Sequence, residues 1–159
     1  MILVIEIAKQ ELVLMKYQSP IQSKSYKFSI LIINLYQKLQ EKNEFVLARQ
    51  ILKSGTSIGA NVEEAVGAQS GKDFFMKITI AYKEARETNY WLRLLRDCNY
   101  IDHEESLKLI NDIEELLKLL TTIQKTVKSN RVKSRYIPNP LTPSSLNYRQ
   151  NDIIIAVYY

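Results

Sequence analysis

The chain has 159 residues, 46% of them hydrophobic and 25% charged, with a net charge of +5 and one cysteine, Cys98. That length suits one domain, and that composition excludes a disordered or fibrous chain. A single cysteine excludes an internal disulfide framework, so the expected setting is the reducing cytoplasm.

The excess charge is unevenly placed. Residues 21–130 carry 16 basic and 14 acidic side chains, residues 131–159 four basic and one acidic, and residues 1–20 two of each. Most of the surplus therefore sits in the C-terminal tail. A basic surface on the body of the protein has to be sought face by face.

Residues 1–18 begin MILVIEIAKQELVLMK, which Glu6 and Lys9 interrupt and no basic stretch precedes. The segment reads as neither a signal peptide nor a bilayer span, and no membrane partner is expected. It is an N-terminal extension that fits a strand or an extra helical turn, and Met15 offers an alternative start.

The first helix is expected from Ser19-Pro20, with Ser19 as N-cap, Pro20 at the first helical position and Gln22 closing a capping box. Phe28, Leu31, Ile32, Leu35 and Leu39 recur at helical spacing, and the pattern ends near Lys42-Asn43. The second helix is expected from about Glu44 to Val66. Phe45, Ala48, Leu52, Gly55, Gly59, Val62 and Val66 form its seam, in steps of three and four. Two interior glycines cost roughly 1 kcal/mol each against alanine. Close approach of a neighbouring helix is the benefit that offsets them, so the helix is read as continuous. Ser54, Ser57 and Asn61 share one flank, and with Gly55 and Gly59 they make a helix-packing set in which the polar row hydrogen-bonds across helices.

The third helix is expected from Gly71 to Asn99, with Ser70 as N-cap and Asp73 three residues on. Its seam is Phe74, Ile78, Ala81, Ala85, Thr88, Leu92 and Leu95, with Phe75, Tyr82 and Trp91 lying off it. The fourth begins at Asp102, with Glu105 as capping partner. Leu109, Ile113, Leu116, Leu120, Ile123 and Val127 form a heptad-like seam that fades at Lys128-Ser129-Asn130. Residues 131–159 form a tail with Pro138, Pro140 and Pro143, ending in the β-prone run IIIAVYY. It is expected to be poorly ordered. Four long helices with short connections predict an all-α, antiparallel up-down four-helix bundle over residues 19–130, with short flanking tails.

No catalytic constellation emerges. A di-iron bundle needs Glu-x-x-His motifs, and the lone histidine, His103, sits at a helix start in no such motif. Cys98 has no neighbouring base and reads as a small, partly buried residue. Glu63-Glu64 and Glu114-Glu115 are adjacent pairs on solvated helix faces rather than a matched acid and base. SGTSIGAN, from Ser54 to Asn61, lacks the Gly-Lys-Ser/Thr ending of a phosphate loop and follows no strand. No metal, no cofactor and no enzymatic activity are expected.

The segment SGTSIGANVEEA followed by KDFFMKITIAYKEARETNYWLRLL resembles the four-helix-bundle family of 23S rRNA intervening-sequence proteins. The resemblance rests on Ser54, Ser57-Ile58, Asn61, Lys83-Glu84-Ala85 and Trp91-Leu92, and covers roughly Ser25 to Ser129. It implies an antiparallel four-helix bundle and a closed homopentamer. The family is similar to the accessory variability protein of diversity-generating retroelements, a basic pentameric barrel that works with nucleic acid. The resemblance thus implies an accessory factor with RNA or DNA as partner. The alternative is a protein-interaction module with no nucleic-acid role.

Two surface features bear on this choice. Phe75, Tyr82 and Trp91 widen the apolar surface of the third helix, which suggests contact with another copy of the chain. Lys72, Lys83, Arg86, Tyr90 and Arg93 fall within an arc of about 80° nearly opposite the seam, at 100° per residue. Cations with an interleaved aromatic suit phosphates and a stacked base. Competing readings are a solvated face neutralised by Lys83–Glu87 and Arg93–Asp97 pairs, or a subunit contact. A second basic candidate is Lys125, Lys128, Arg131, Lys133 and Arg135.

Overall fold

The structure, a computed structural model, describes residues 19–136, with side chains through residue 130. Four helices make up this part: α1, Pro20–Glu41; α2, Val46–Val66; α3, Gly71–Asp97; and α4, His103–Tyr136. They form an all-α bundle with no strand among the described residues. The N-terminal extension and residues 137–159 of the proline-containing tail lie outside the described residues, while the first six tail residues continue α4 instead of being poorly ordered.

Each helix packs on its neighbours in chain order, and α4 closes back against α1. Paired contacts run in opposite chain directions. Gln22 meets Glu63 and Ile32 lies against Gly55; Gln124 meets Thr79, and Lys128 sits over the Phe75 ring. The α1–α4 seam is the loosest of the four. An open groove remains there, lined by four carboxylates, Glu41, Asp102, Glu104 and Glu105, against Lys38 and Lys108. Lys38 bonds Glu105 at 2.8 Å and Lys24 bonds Glu115 at 2.9 Å across this seam.

Both α1 and α3 end in the same device. Asn43 and Asn99 take left-handed backbone angles, φ 60° and 61°. Asparagine tolerates this region better than most residues. The reversal lets the Asn43 N–H donate to Gln40 O and the Glu44 N–H to Leu39 O, each at 2.9 Å. The Asn99 and Tyr100 N–H groups repeat the pattern on Arg96 O and Leu95 O. Carbonyls that would be orphaned at a helix end are thereby satisfied. Lys42 Nζ donates to Tyr100 O at 2.7 Å and ties the two turns together.

The starts differ more from expectation. Ser70 caps α3 as expected, its Oγ accepting from the Asp73 N–H at 3.1 Å. Ser19 makes no capping bond, and Gln22, instead of closing a capping box, donates to Glu63 of α2 at 3.4 Å. The α2 helix begins at Val46 rather than Glu44, because Glu44 serves as the cap. Its Oε1 accepts from the N–H groups of Val46 and Leu47 at 3.0 and 2.8 Å, and these bonds, the one from Leu47 foremost, hold its carboxyl below the usual range.

At the start of α4, Asp102 Oδ1 accepts from the Glu105 N–H at 2.8 Å. This backbone bond, foremost among several, depresses the Asp102 pKa. A depressed carboxyl contributes stability above its unfolded pKa and loses it as pH falls through the lower folded value. Asp102→Asn keeps a capping side chain without the charge. The melting temperatures of the two proteins should therefore differ above about pH 4 and converge below it. A difference that stays constant down to about pH 2 would show that the carboxylate charge is not the source.

The α3 seam is buried as expected: Phe74, Ile78, Ala81, Ala85, Thr88, Leu92 and Leu95 are each excluded from solvent. So are all six seam residues of α4. That helix does not stop where its seam fades, however, and runs on to Tyr136. The backbone meets no Gly or Pro before Pro138, so nothing in it ends the helix where the seam fades.

The α2 seam needs correction. Phe45 and Val66 are exposed and Leu52 is only half-buried, while Ile51, Ser54, Ile58 and Ala65 are buried. The reason is the close approach of α1 at Gly55 and Gly59, which spreads the buried arc from the glycine line to Ile51, Ser54, Ile58 and Ala65 instead of leaving one stripe. The glycines are buried and the helix runs through them unbroken. A Cβ added at Gly55 would lie 2.7 Å from Ile32 Cγ1, and one at Gly59 3.0 Å from Ser29 Oγ. The polar row on the same helix does not bridge helices. Ser54 Oγ donates to Gln50 O at 3.1 Å and Asn61 Nδ2 to Ser57 O at 2.8 Å, four residues back along α2.

Candidate nucleic-acid interface

The α3 helix spans 27 residues, about 40 Å at 1.5 Å per residue. Its buried seam fixes its rotation, and every residue of the basic arc, Lys72, Lys83, Arg86, Tyr90 and Arg93, is exposed. Tyr90 is 50% exposed and meets the Trp91 ring edge-on, with centroids 4.9 Å apart.

The i, i+4 pairs that would neutralise this face are not formed. Glu87 accepts from Trp91 Nε1 at 3.1 Å, and Asp97 pairs with Arg96 Nε at 2.8 Å. Arg96 is the main reason the Asp97 carboxyl titrates low, with a smaller contribution from Arg93. The ion pairs among the described residues are Lys24–Glu115, Lys38–Glu105, Lys77–Glu64 and Arg96–Asp97. None of Lys72, Lys83, Arg86 and Arg93 belongs to one.

Antiparallel packing then adds a second helix to the face. The Gln124–Thr79 bond at 3.3 Å and the Lys128–Phe75 contact at 5.7 Å set the register of α4 on α3. In that register a groove forms between the two helices, lined by Tyr82 and Arg86 of α3 and by Lys118, Thr121, Thr122 and Lys125 of α4, with Leu117. Its charged residues are all cations. The contrast with the α1–α4 groove is a segregation of charge, with carboxylates in excess on one side of α4 and cations on the other.

Sequence reasoning missed Lys118, Thr121 and Thr122 and placed Tyr82 elsewhere. The available signal was the seven-residue spacing of Lys118 and Lys125, which puts both on one face of α4. Which helix faces them depends on packing. Lys125 and Lys128 of the second basic candidate are exposed on this same side, and Arg131, Lys133 and Arg135 lie beyond the residues with described side chains. Tyr82, Phe75 and Trp91 are half-buried and pack against the core rather than forming a free apolar cluster.

Other candidates carry less chemistry. His103 is exposed at the start of α4, and Cys98, expected to be partly buried, is exposed at the C-cap of α3. Among the described residues no group of three or more His, Cys, Asp or Glu side chains is placed to hold a metal ion. No helix among them is long and apolar enough to cross a membrane.

Fold and surface together define a four-helix bundle with a cationic face over its third and fourth helices. The sequence profile of the 23S rRNA-intervening sequence protein family matches residues 18–122, and the chain belongs to that family. It is similar to a solved structure described as a protein with unknown function from the S23 ribosomal protein family, from Bacteroides thetaiotaomicron VPI-5482. The identity is 51% with a TM-score of 0.65, over 66% of this chain and 98% of that one. No curated protein matches the chain.

Proposed function

We propose that the chain is a non-enzymatic nucleic-acid-binding or accessory factor that works as a homo-oligomer in the cytoplasm. The observation that carries this reading is the α3 face, where four cations, Lys72, Lys83, Arg86 and Arg93, lie exposed and outside the ion pairs formed among the described residues. Unpaired surface cations are free to replace the counterions of a phosphate backbone, and releasing those counterions drives association. Fluorescence anisotropy with labelled RNA and DNA across a salt series tests it. Binding that weakens steeply with salt is expected; no binding at low salt would leave the protein-interaction module as the reading.

Self-association has its own support. Tyr26, Ile30 and Ile33 stand at helical spacing on α1 and are 42%, 44% and 41% exposed. A stripe of large apolar side chains on one helix is a common mark of an interaction surface. A second copy of this chain is the occupant proposed, and the pentamer implied by the sequence resemblance is the expected closed form. Changing Ile30 and Ile33 together to Lys should reduce the mass measured by light scattering to that of a monomer. Circular dichroism should keep its helical signal, because neither side chain belongs to the core. A wild-type protein that is already monomeric at micromolar concentration would end the oligomer reading.

A further inference from the structure

The groove between α3 and α4 has a chemistry that narrows the ligand. We infer that it holds one unpaired strand of RNA, a conclusion that rests on the nucleic-acid reading above and sharpens it. Width is the first reason. Neighbouring packed helices lie about 8–10 Å apart axis to axis, so the furrow between them is a track on the scale of one strand. Charge is the second. Arg86 stands on one wall and Lys118 and Lys125 on the other, with no carboxylate in the lining. Lys118 and Lys125 are two helical turns apart, about 10 Å along α4, so the cations follow the groove instead of focusing on one point. Tyr82, half-buried and anchored against the core, places an aromatic side chain one turn from Arg86 on the α3 wall, facing the lysines of α4. A positive groove with an aromatic platform is the arrangement that binds single strands without reading sequence.

The threonines distinguish the sugar. Thr121 Oγ1 donates to Leu117 O at 2.7 Å and Thr122 Oγ1 to Lys118 O at 2.9 Å. Each hydroxyl has one proton, and here it is committed to the helix backbone. What these oxygens offer the groove is lone pairs. Phosphate oxygens are acceptors and gain nothing from lone pairs. A ribose 2′-hydroxyl is a donor and can use them, whereas deoxyribose has no such group. The same groove therefore favours RNA over DNA of identical sequence.

The test compares labelled single-stranded RNA, single-stranded DNA and duplex RNA of one sequence, on full-length protein, by anisotropy at several salt concentrations. Wild type should prefer single-stranded RNA to both others. Lys118→Gln with Lys125→Gln changes two exposed side chains and should weaken single-strand binding roughly tenfold or more at about 0.1 M salt, lowering the salt slope by about 1.4. Thr121→Val with Thr122→Val should bring RNA affinity down to that of DNA while leaving DNA affinity in place. Tyr82→Phe should bind as wild type and Tyr82→Leu roughly fivefold or more weakly, with a thermal melt to confirm that Tyr82→Leu is folded. If wild type binds RNA but the lysine pair can be changed without effect, the groove is not the site, and the broader reading stands. Equal binding of RNA and DNA by wild type overturns the sugar preference, and tighter binding of duplex overturns the single-strand assignment. If wild type binds none of the three, the nucleic-acid reading falls and this inference with it.

Discussion

Replacing Gly55 with Leu is expected to cost more stability than any other single change considered for this bundle. A Cβ alone would lie 2.7 and 2.8 Å from the two γ carbons of Ile32 and 3.2 Å from its Cβ. Those distances are far inside van der Waals contact, so something has to move. Ile32 is β-branched, fully buried and held by a helical backbone, which leaves it few rotamers to retreat into. Overpacking a core contact typically costs about 1–3 kcal/mol, and a rigid neighbour puts this site at the upper end. In a domain of this size that is a fall of roughly 10 °C in Tm. Even Gly55→Ala should destabilise, although alanine is the better helix former by roughly 1 kcal/mol. Gly59 makes the informative comparison. Its added Cβ meets the Ser29 hydroxyl at 3.0 Å, at the end of a small side chain that can turn away. Gly59→Ala should therefore be close to neutral, and only the larger Gly59→Leu should disrupt the bundle. Thermal melts of the four variants would check the order, and a wild-type melt for Gly55→Leu would mean that α1 and α2 do not approach as described.

The second large effect concerns binding. Arg86 and Arg93 are exposed, unpaired and two turns apart on α3. Changed together to Gln they should lower affinity for every nucleic acid the protein binds, by roughly tenfold or more near 0.1 M salt. On single strands the slope of log affinity against log salt should fall by about 1.4, which is the loss of two phosphate contacts. Helix content and melting temperature should not change, since neither side chain belongs to the core. Unchanged affinity and slope in a folded variant would remove this face from consideration. Truncation after Asn130 would then test the basic residues that follow it.

Legibility in the sequence tracked how each helix is surrounded. The seams of α3 and α4 could be read residue by residue, because each buries a stripe narrow enough to appear as steps of three and four. The α2 seam could not, since the close approach of α1 at Gly55 and Gly59 lets the bundle cover Ile51, Ile58 and Ala65 as well as the glycine line. Caps divided in the same way. Ser70 caps locally, three residues from its donor, while Gln22 had a choice between its own backbone and Glu63, 41 residues away, which only packing brings near.

For the candidate site the division is sharper. The α3 arc of Lys72, Lys83, Arg86, Tyr90 and Arg93 was visible because residues on one helix keep a fixed angular relation whatever surrounds them. Sequence alone also determined the four-helix, all-α class, the run of each helix through its apolar positions, and the glycine pair that marks a close approach. Only the tertiary structure decided which residue each glycine faces, that Glu87 and Asp97 turn to Trp91 and Arg96, and that Lys118 and Lys125 lie across from Tyr82 and Arg86. The physical reason is that periodicity records which side of a helix avoids water. It holds no information on the register between helices, which is settled by how side chains from distant parts of the chain fit together.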